Sequence, residues 1–111
     1  EAERLAREEA KRLEEERQEG LKVYEEILTR NIEIRELSEE EVLEGDIIHV
    51  IVSEKATDSQ VDDIALDVGS RIKRLLKRIP QEVIVYREDN PDVEVARARY
   101  DSAQEQYVLV E

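Results

Sequence analysis

The sequence contains no cysteine, methionine, tryptophan or phenylalanine, and it has three glycines, two prolines and one histidine. Without cysteine there can be no disulfide framework, zinc–thiolate site or thiol nucleophile, although the redox compartment stays open. Three glycines form no phosphate-binding loop, and no serine lies in a nucleophile elbow. We therefore expect no enzyme, and we assign no catalytic, cofactor-binding or metal-binding residue.

No stretch approaches the roughly 18 consecutive apolar residues that would span a bilayer, so we expect no membrane insertion of this segment. Charge is abundant instead: 42% of the residues are charged, and the formal net charge is -13. An acidic field of this size repels phosphate backbones and attracts basic surfaces. The predicted partner is therefore another protein and not a nucleic acid.

The first 20 residues, "EAERLAREEAKRLEEERQEG", are strong helix formers, and Gly20 is a natural helix end. One narrow apolar face contains Ala2, Leu5, Ala6, Ala10 and Leu13. We predict a charged helix over residues 1–20, either a solvated stalk or a lightly docked cap. The alternative is self-association through Leu5 and Leu13, although fewer than three heptads make a poor coiled coil. The chain would then be a monomer or a weak homodimer.

Residues 21–111 are predicted to form a single α+β domain of a length typical for one core. The β-favouring "LKVYEEIL" and the alternation around Ile32 and Ile34 predict one long or bent strand that ends near Glu36. In "LSEEEVLEGD", Ser38 and Glu41 have the spacing of a capping box for one helical turn. The carboxylates of residues 39–41 diverge around a helix, so we do not interpret them as a metal cluster.

The most apolar stretch, "DIIHVIVSE", predicts a central strand that is buried on both faces or nearly so. It contains His49, for which we expect a structural or surface role because no second histidine or cysteine could share a metal.

A long core-facing helix is predicted over residues 57–79, since Thr57 and Gln60 form a second capping box. Its predicted core positions are Val61, Ile64, Ala65, Val68, Ile72, Leu75, Leu76 and Ile79. Aspartates crowd its N-terminal end, and basic residues crowd its C-terminal end, as the helix dipole favours. Those basic residues, a possible protein-docking patch in the alternative interpretation, are Arg71, Lys73, Arg74, Lys77 and Arg78.

Further strands are predicted at Val83 to Arg87, at "VEVARARY" and at "EQYVLVE", with a turn over Asp89 to Asp92. The long helix is a crossover of the length that parallel strands need, whereas the other connections suit antiparallel pairs. The predicted fold is an α+β two-layer sandwich. One long helix covers a mixed sheet of four to five strands, and the N-terminal helix precedes it.

The order "YEEILTRNIEIREL", "IIHVIVSEKATDSQVDDIALDVGSRIKRL", "EVIVYRED", "VARARYD" resembles a small α+β domain of uncharacterised bacterial secreted proteins and lipoproteins. In that group a charged stalk often follows the membrane anchor. The resemblance covers residues 24–100 and implies a non-catalytic extracytoplasmic domain with a structural or protein-interaction role. It transfers no site residues, and the lack of Phe and Trp departs from the group's pattern.

The alternative is a de novo designed or engineered scaffold without biochemical activity. Two capping boxes, dipole-matched charges and a helix rich in Glu, Arg, Ala and Lys follow common design rules. Gly69 inside a helix and the lone His49 within an apolar strand argue against design.

Overall fold

The structure, a computed structural model, describes residues 2–110. Within this range the chain forms three helices and five strands. The helices are α1 (Ala2–Arg30), α2 (Glu39–Glu44) and α3 (Asp58–Leu76). The strands are β1 (Ile34–Leu37), β2 (Ile47–Val52), β3 (Glu82–Arg87), β4 (Asn90–Asp101) and β5 (Gln106–Leu109).

The five strands lie in one sheet in their sequence order, β1-β2-β3-β4-β5. Strands β2 and β3 are parallel, and α3 is the crossover between them, as predicted. The other neighbouring pairs are antiparallel, and β5 lies at an edge. The predicted α+β class with a mixed sheet is confirmed.

The core lies between one face of the sheet and the helices. The sheet contributes Ile48, Val50 and Val52 from β2 with Val83 and Val85 from β3, and the helices contribute Val23, Ile27, Val42, Val61, Ile64, Val68 and Ile72. Helix α3 is the main cover, and the C-terminal part of α1 adds to the same layer.

Helix α3 begins as predicted but ends earlier. The Thr57 hydroxyl accepts from the N–H of Gln60, and the Gln60 side chain accepts from the N–H of Thr57, which completes the capping box. The helix ends at Leu76, and its C-cap residue Lys77 adopts the left-handed conformation with φ of 55°. The core role predicted for Leu75 and Ile79 is wrong: they are 38% and 40% exposed, and Ile79 lies beyond the helix.

The strand predicted from Leu21 is also wrong, because α1 continues through Gly20 to Arg30. Gly20, Val23 and Ile27 are buried at spacings of three and four residues, which is a helical period. The five apolar residues within "LKVYEEIL" fit this helical period, although the same residue types also favour a strand. Only Ile34–Leu37 forms β1, and Ile32 is 76% exposed in the turn before it.

Strand β2 is largely exposed on the second face of the sheet, so the predicted burial of this strand on both faces is wrong. Strand β2 alternates: Ile48, Val50 and Val52 are buried, whereas Ile47 is 41% exposed and His49 is exposed. The surface role expected for His49 therefore fits its position.

The predicted capping box of α2 forms only in part. The Ser38 hydroxyl accepts from the N–H of Glu41, but the Glu41 carboxylate turns to β2 instead. Its Oε1 accepts from the N–H of His49 at 2.9 Å, and its Oε2 lies 2.8 Å from His49 Nδ1. The interaction ties α2 to the sheet.

The turn between β3 and β4 occupies Glu88 and Asp89, so it begins one residue before the predicted segment and shares only Asp89 with it. Asn90 and Pro91 already belong to β4, where Asn90 pairs with Arg87. The tight approach of Arg87 to Asn90 leaves only two residues for the turn.

Gly69 in α3 allows the edge strand β5 to approach the helix. A Cβ at Gly69 would lie 2.8 Å from Cε1 of Tyr107, closer than van der Waals contact permits. The Tyr107 hydroxyl donates to the carbonyl of Pro80 at 2.6 Å, which fixes the ring. Burial raises the pKa of Tyr107 to about 12.

Candidate protein-interaction site

The first 18 described residues of α1 carry no buried side chain. Residues 2–19 are all exposed, including Leu5 at 65% and Leu13 at 55%, whereas Val23 and Ile27 of the same helix are buried. At 1.5 Å per residue the 29-residue helix is about 43 Å long, and the longest dimension of the molecule is 55 Å. The helix is therefore docked along its C-terminal part and unsupported along its N-terminal part.

The apolar stripe of the unsupported part continues the face that docks. At 100° per residue, Ala2, Ala6 and Leu13 project within about 60° of the direction of Ile27. These residues therefore lie on the face of α1 that, nearer its C-terminal end, contacts α2 and α3. The exposed stripe therefore faces the space beside α2.

That space is a groove of about 1100 Å³ between α1 and α2. Its apolar lining consists of Ala10, Leu13, Leu43 and Leu76. Its charged lining consists of Glu14, Glu16, Glu19, Glu39, Glu40 and Glu44 with Arg17 and Arg78. Six carboxylates against two guanidinium groups make this groove acidic, and we refer to its four apolar side chains as the floor. We call it the α1–α2 groove.

Two contacts position α2 beside the α1–α2 groove. Gly20 allows α1 to approach α2 closely, because a Cβ there would overlap the Leu43 side chain. Arg78 holds the C-terminal end of α2 by donating to the carbonyl oxygens of Glu41, Val42 and Gly45, the last two at 2.9 Å. Burial lowers the pKa of Arg78. Since a helix end leaves its last carbonyls unpaired, Arg78 acts as a side-chain cap for α2.

A polar cluster joins the C-terminal end of α1 to α3. Arg71 bonds to Asp67 at 2.9 Å and to Glu26 of α1 at 3.1 Å, and the Asn31 amide donates to Asp67 at 2.9 Å. The hydrogen bond to Asp67 raises the pKa of Arg71. Burial alone would raise the pKa of Asp67, but hydrogen bonds from Arg71 and Asn31 outweigh it and lower the pKa. The cluster fixes the direction in which α1 leaves the body.

The structure does not gather the five basic residues at the end of α3 into one surface. Arg71 is in the cluster just described, with a side chain only 11% exposed. Lys73 lies 5.7 Å from the ring centre of Tyr100 and donates to the carbonyl of Glu105. Arg78 caps α2, whereas Arg74 and Lys77 are exposed. Three of the five therefore make contacts within the fold. Only Arg74 and Lys77 of the proposed docking patch are exposed.

Sequence reasoning missed the α2 side of the α1–α2 groove. We interpreted residues 39–41 as a cap region only, and nothing in the chain order shows that Leu43 meets α1. A signal was nevertheless present, because Gly20 interrupts a helix of strong formers, and glycine in such a position permits close approach of a second element.

Among the helices within residues 2–110, none combines the length and the apolarity that crossing a membrane requires. Comparison of the chain with protein-family models, with curated proteins and with solved structures gives no significant match. What the chain does must therefore be inferred from its own residues and geometry.

Proposed function

We propose that the chain is a non-catalytic domain of an extracytoplasmic protein that contacts another polypeptide through the α1–α2 groove. The observation that carries this proposal is an acidic groove with an apolar floor beside a helix whose stripe is unpaired. Such a surface suits an amphipathic helix, whose apolar residues would enter the floor while its basic residues meet the rim.

The charge of the surface supports a basic polypeptide over a nucleic acid. The groove lining has six carboxylates and two guanidinium groups, and the whole chain has a formal net charge of -13. Phosphate backbones would be repelled, whereas lysine and arginine side chains would be attracted. The extracytoplasmic setting rests on the resemblance of residues 24–100 and on the stalk-like first helix.

The test is calorimetric titration with a synthetic amphipathic peptide of Leu, Ala and Lys, as long as the unsupported part of α1. A peptide of identical composition, scrambled so that no apolar face forms, is the control. We expect the amphipathic peptide to bind at least tenfold more tightly than the scrambled one at physiological salt. Equal binding of the two peptides, or no binding of either, would contradict the proposal and favour a scaffold without activity.

A matched pair of variants localises the binding. Leu13→Glu places a carboxylate on the groove floor, whereas Gln18→Glu adds the same charge about 140° around α1, because the residues are five positions apart. Both positions are exposed, so neither change should disturb the fold. Binding of the amphipathic peptide should weaken at least tenfold with Leu13→Glu and remain unchanged with Gln18→Glu. An equal effect of the two would show attraction by net charge alone.

A further inference from the structure

The charges of the unsupported part of α1 are divided along the helix. Residues 2–12 contain three acidic and four basic groups, a net charge of +1. Residues 13–19, which lie beside α2, contain four acidic and one basic group, a net charge of -3. The first segment is thus itself a short amphipathic helix with a basic excess, in a chain that is otherwise strongly acidic.

We propose that the occupant of the α1–α2 groove is residues 2–12 of a second copy of this chain, with the two α1 helices antiparallel. This inference rests on the proposed function and specifies its partner. Antiparallel pairing places the basic segment of each copy over the acidic segment of the other. The arrangement has twofold symmetry, so one contact, made twice, satisfies both copies.

The apolar residues agree with this pairing. Leu5 in the basic segment and Leu13 on the groove floor are the two large apolar side chains of residues 2–19, and both are more than half exposed. In an antiparallel pair the Leu5 end of one helix lies towards the Leu13 end of the other. Both side chains would then be removed from water, and burial of their apolar surface would favour the pair.

The fold lowers the entropic cost that makes a short helix pair weak. An isolated helix must first form a turn that is unfavourable to nucleate, and this cost opposes association of separate short helices. Here residues 2–19 extend a helix that is already anchored by Val23, Ile27 and the cluster around Arg71. Both helix surfaces are therefore formed before they meet.

The net charge of -13 on each copy opposes association, but this repulsion acts over long distances. Charges more than about 8 Å apart are largely screened at physiological ionic strength. Contacts between the basic and acidic segments would lie within that distance. The local complementarity therefore decides the outcome, and it can be reversed without changing the body of the protein.

Sedimentation equilibrium of the whole chain, with two charge-reversed variants, tests the inference. The first variant, Arg4→Glu with Arg7→Glu and Lys11→Glu, makes the basic segment acidic. The second makes the groove segment basic through Glu14→Lys, Glu16→Lys and Glu19→Lys. All six side chains are exposed. Each substitution moves the net charge by two, so the first variant has a charge of -13 - 6 = -19 and the second one of -13 + 6 = -7.

We expect the unmodified chain to show a monomer–dimer equilibrium and each variant to dimerise at least tenfold more weakly. The second variant is informative because its net charge is smaller, yet it should still fail to pair with itself. An equimolar mixture of the two variants should form a heterodimer, since each basic segment again meets an acidic one.

A strictly monomeric chain up to millimolar concentration would overturn the inference, as would variants that dimerise as well as the unmodified chain. Failure of the mixture to recover association would also overturn it. These results differ from a failure of the proposed function. A monomeric chain that still binds the amphipathic peptide at the groove would have a partner other than itself, and a chain that does neither would have no function at this groove.

Discussion

Replacing Arg78 with alanine should destabilise the protein by removing the cap of α2. The guanidinium group donates to three carbonyl oxygens, those of Glu41, Val42 and Gly45. A hydrogen bond with a charged partner contributes roughly 1.5 to 3 kcal/mol when water is excluded. Arg78 is only half-buried, however, so in the variant water can hydrogen-bond to some of the carbonyl groups that lose their donor. We therefore expect a loss of about 2 to 4 kcal/mol in total, below the sum of three full contributions.

Arg74→Ala is the matched control, because Arg74 has the same charge, lies near the same end of α3 and is exposed. Surface substitutions of this kind change stability by no more than about 0.5 kcal/mol. Arg78→Lys keeps the charge, but an ammonium group lacks the planar fork that reaches several acceptors. It should recover less than half of the loss.

Urea unfolding followed by circular dichroism gives the free energies of unfolding of the four proteins. If Arg78→Ala and Arg74→Ala differed by less than about 0.5 kcal/mol, Arg78 would not be a cap, and a surface docking role would be favoured. If Arg78→Lys were as stable as the unmodified protein, the effect would be one of charge alone and not of hydrogen-bond geometry.

Three further predictions concern α3 and its contacts. Ile72 is fully buried, so Ile72→Ala should cost about 2 to 5 kcal/mol in urea unfolding, and a loss below about 0.5 kcal/mol would mean that it does not belong to the core. Thr57→Ala should cost about 0.5 to 2 kcal/mol, because the capping box with Gln60 is complete, and an unchanged midpoint would contradict that role. The pKa of Tyr107 is raised to about 12 from an ordinary value of 10.0. The unfolded chain therefore loses this proton first, and stability should fall between pH 10 and pH 12. Tyr107→Phe should remove that part of the pH dependence, so an identical alkaline profile for the variant would refute the assignment.

The fold was predictable where local patterns and connection lengths agreed. Thr57 with Gln60 identified the start of α3, and α3 has the length of the crossover that parallel strands such as β2 and β3 need. The errors arose where the same residues fit both a strand and a helix. "LKVYEEIL" suits a strand by propensity, but its apolar residues also recur at helical spacing, and burial of Val23 and Ile27 in the core decides for the helix.

The interaction site was less predictable, because it depends on contacts between distant segments. The stripe of Leu5 and Leu13 is visible in the sequence, but the groove requires that Leu43 of α2 lies beside it. The same applies to Arg78, whose acceptors are 33 to 37 residues away in the chain. A basic residue at a helix end gives no sign of whether it faces solvent or a neighbouring element.

The central claim is that residues 1–19 serve contact with another polypeptide and contribute little to folding. The most direct test is the urea unfolding, by circular dichroism, of a chain that begins at Gly20. This chain retains Val23, Ile27, the strands and both other helices, whereas the residues it loses are exposed throughout the described range 2–19. At low concentration we expect one cooperative transition, with a free energy of unfolding within about 1 kcal/mol of that of the full chain. Leu5 and Leu13 are largely exposed, so deleting them removes little buried apolar surface. Loss of the cooperative transition would show that the first helix belongs to the core, and the contact role of its stripe would be contradicted.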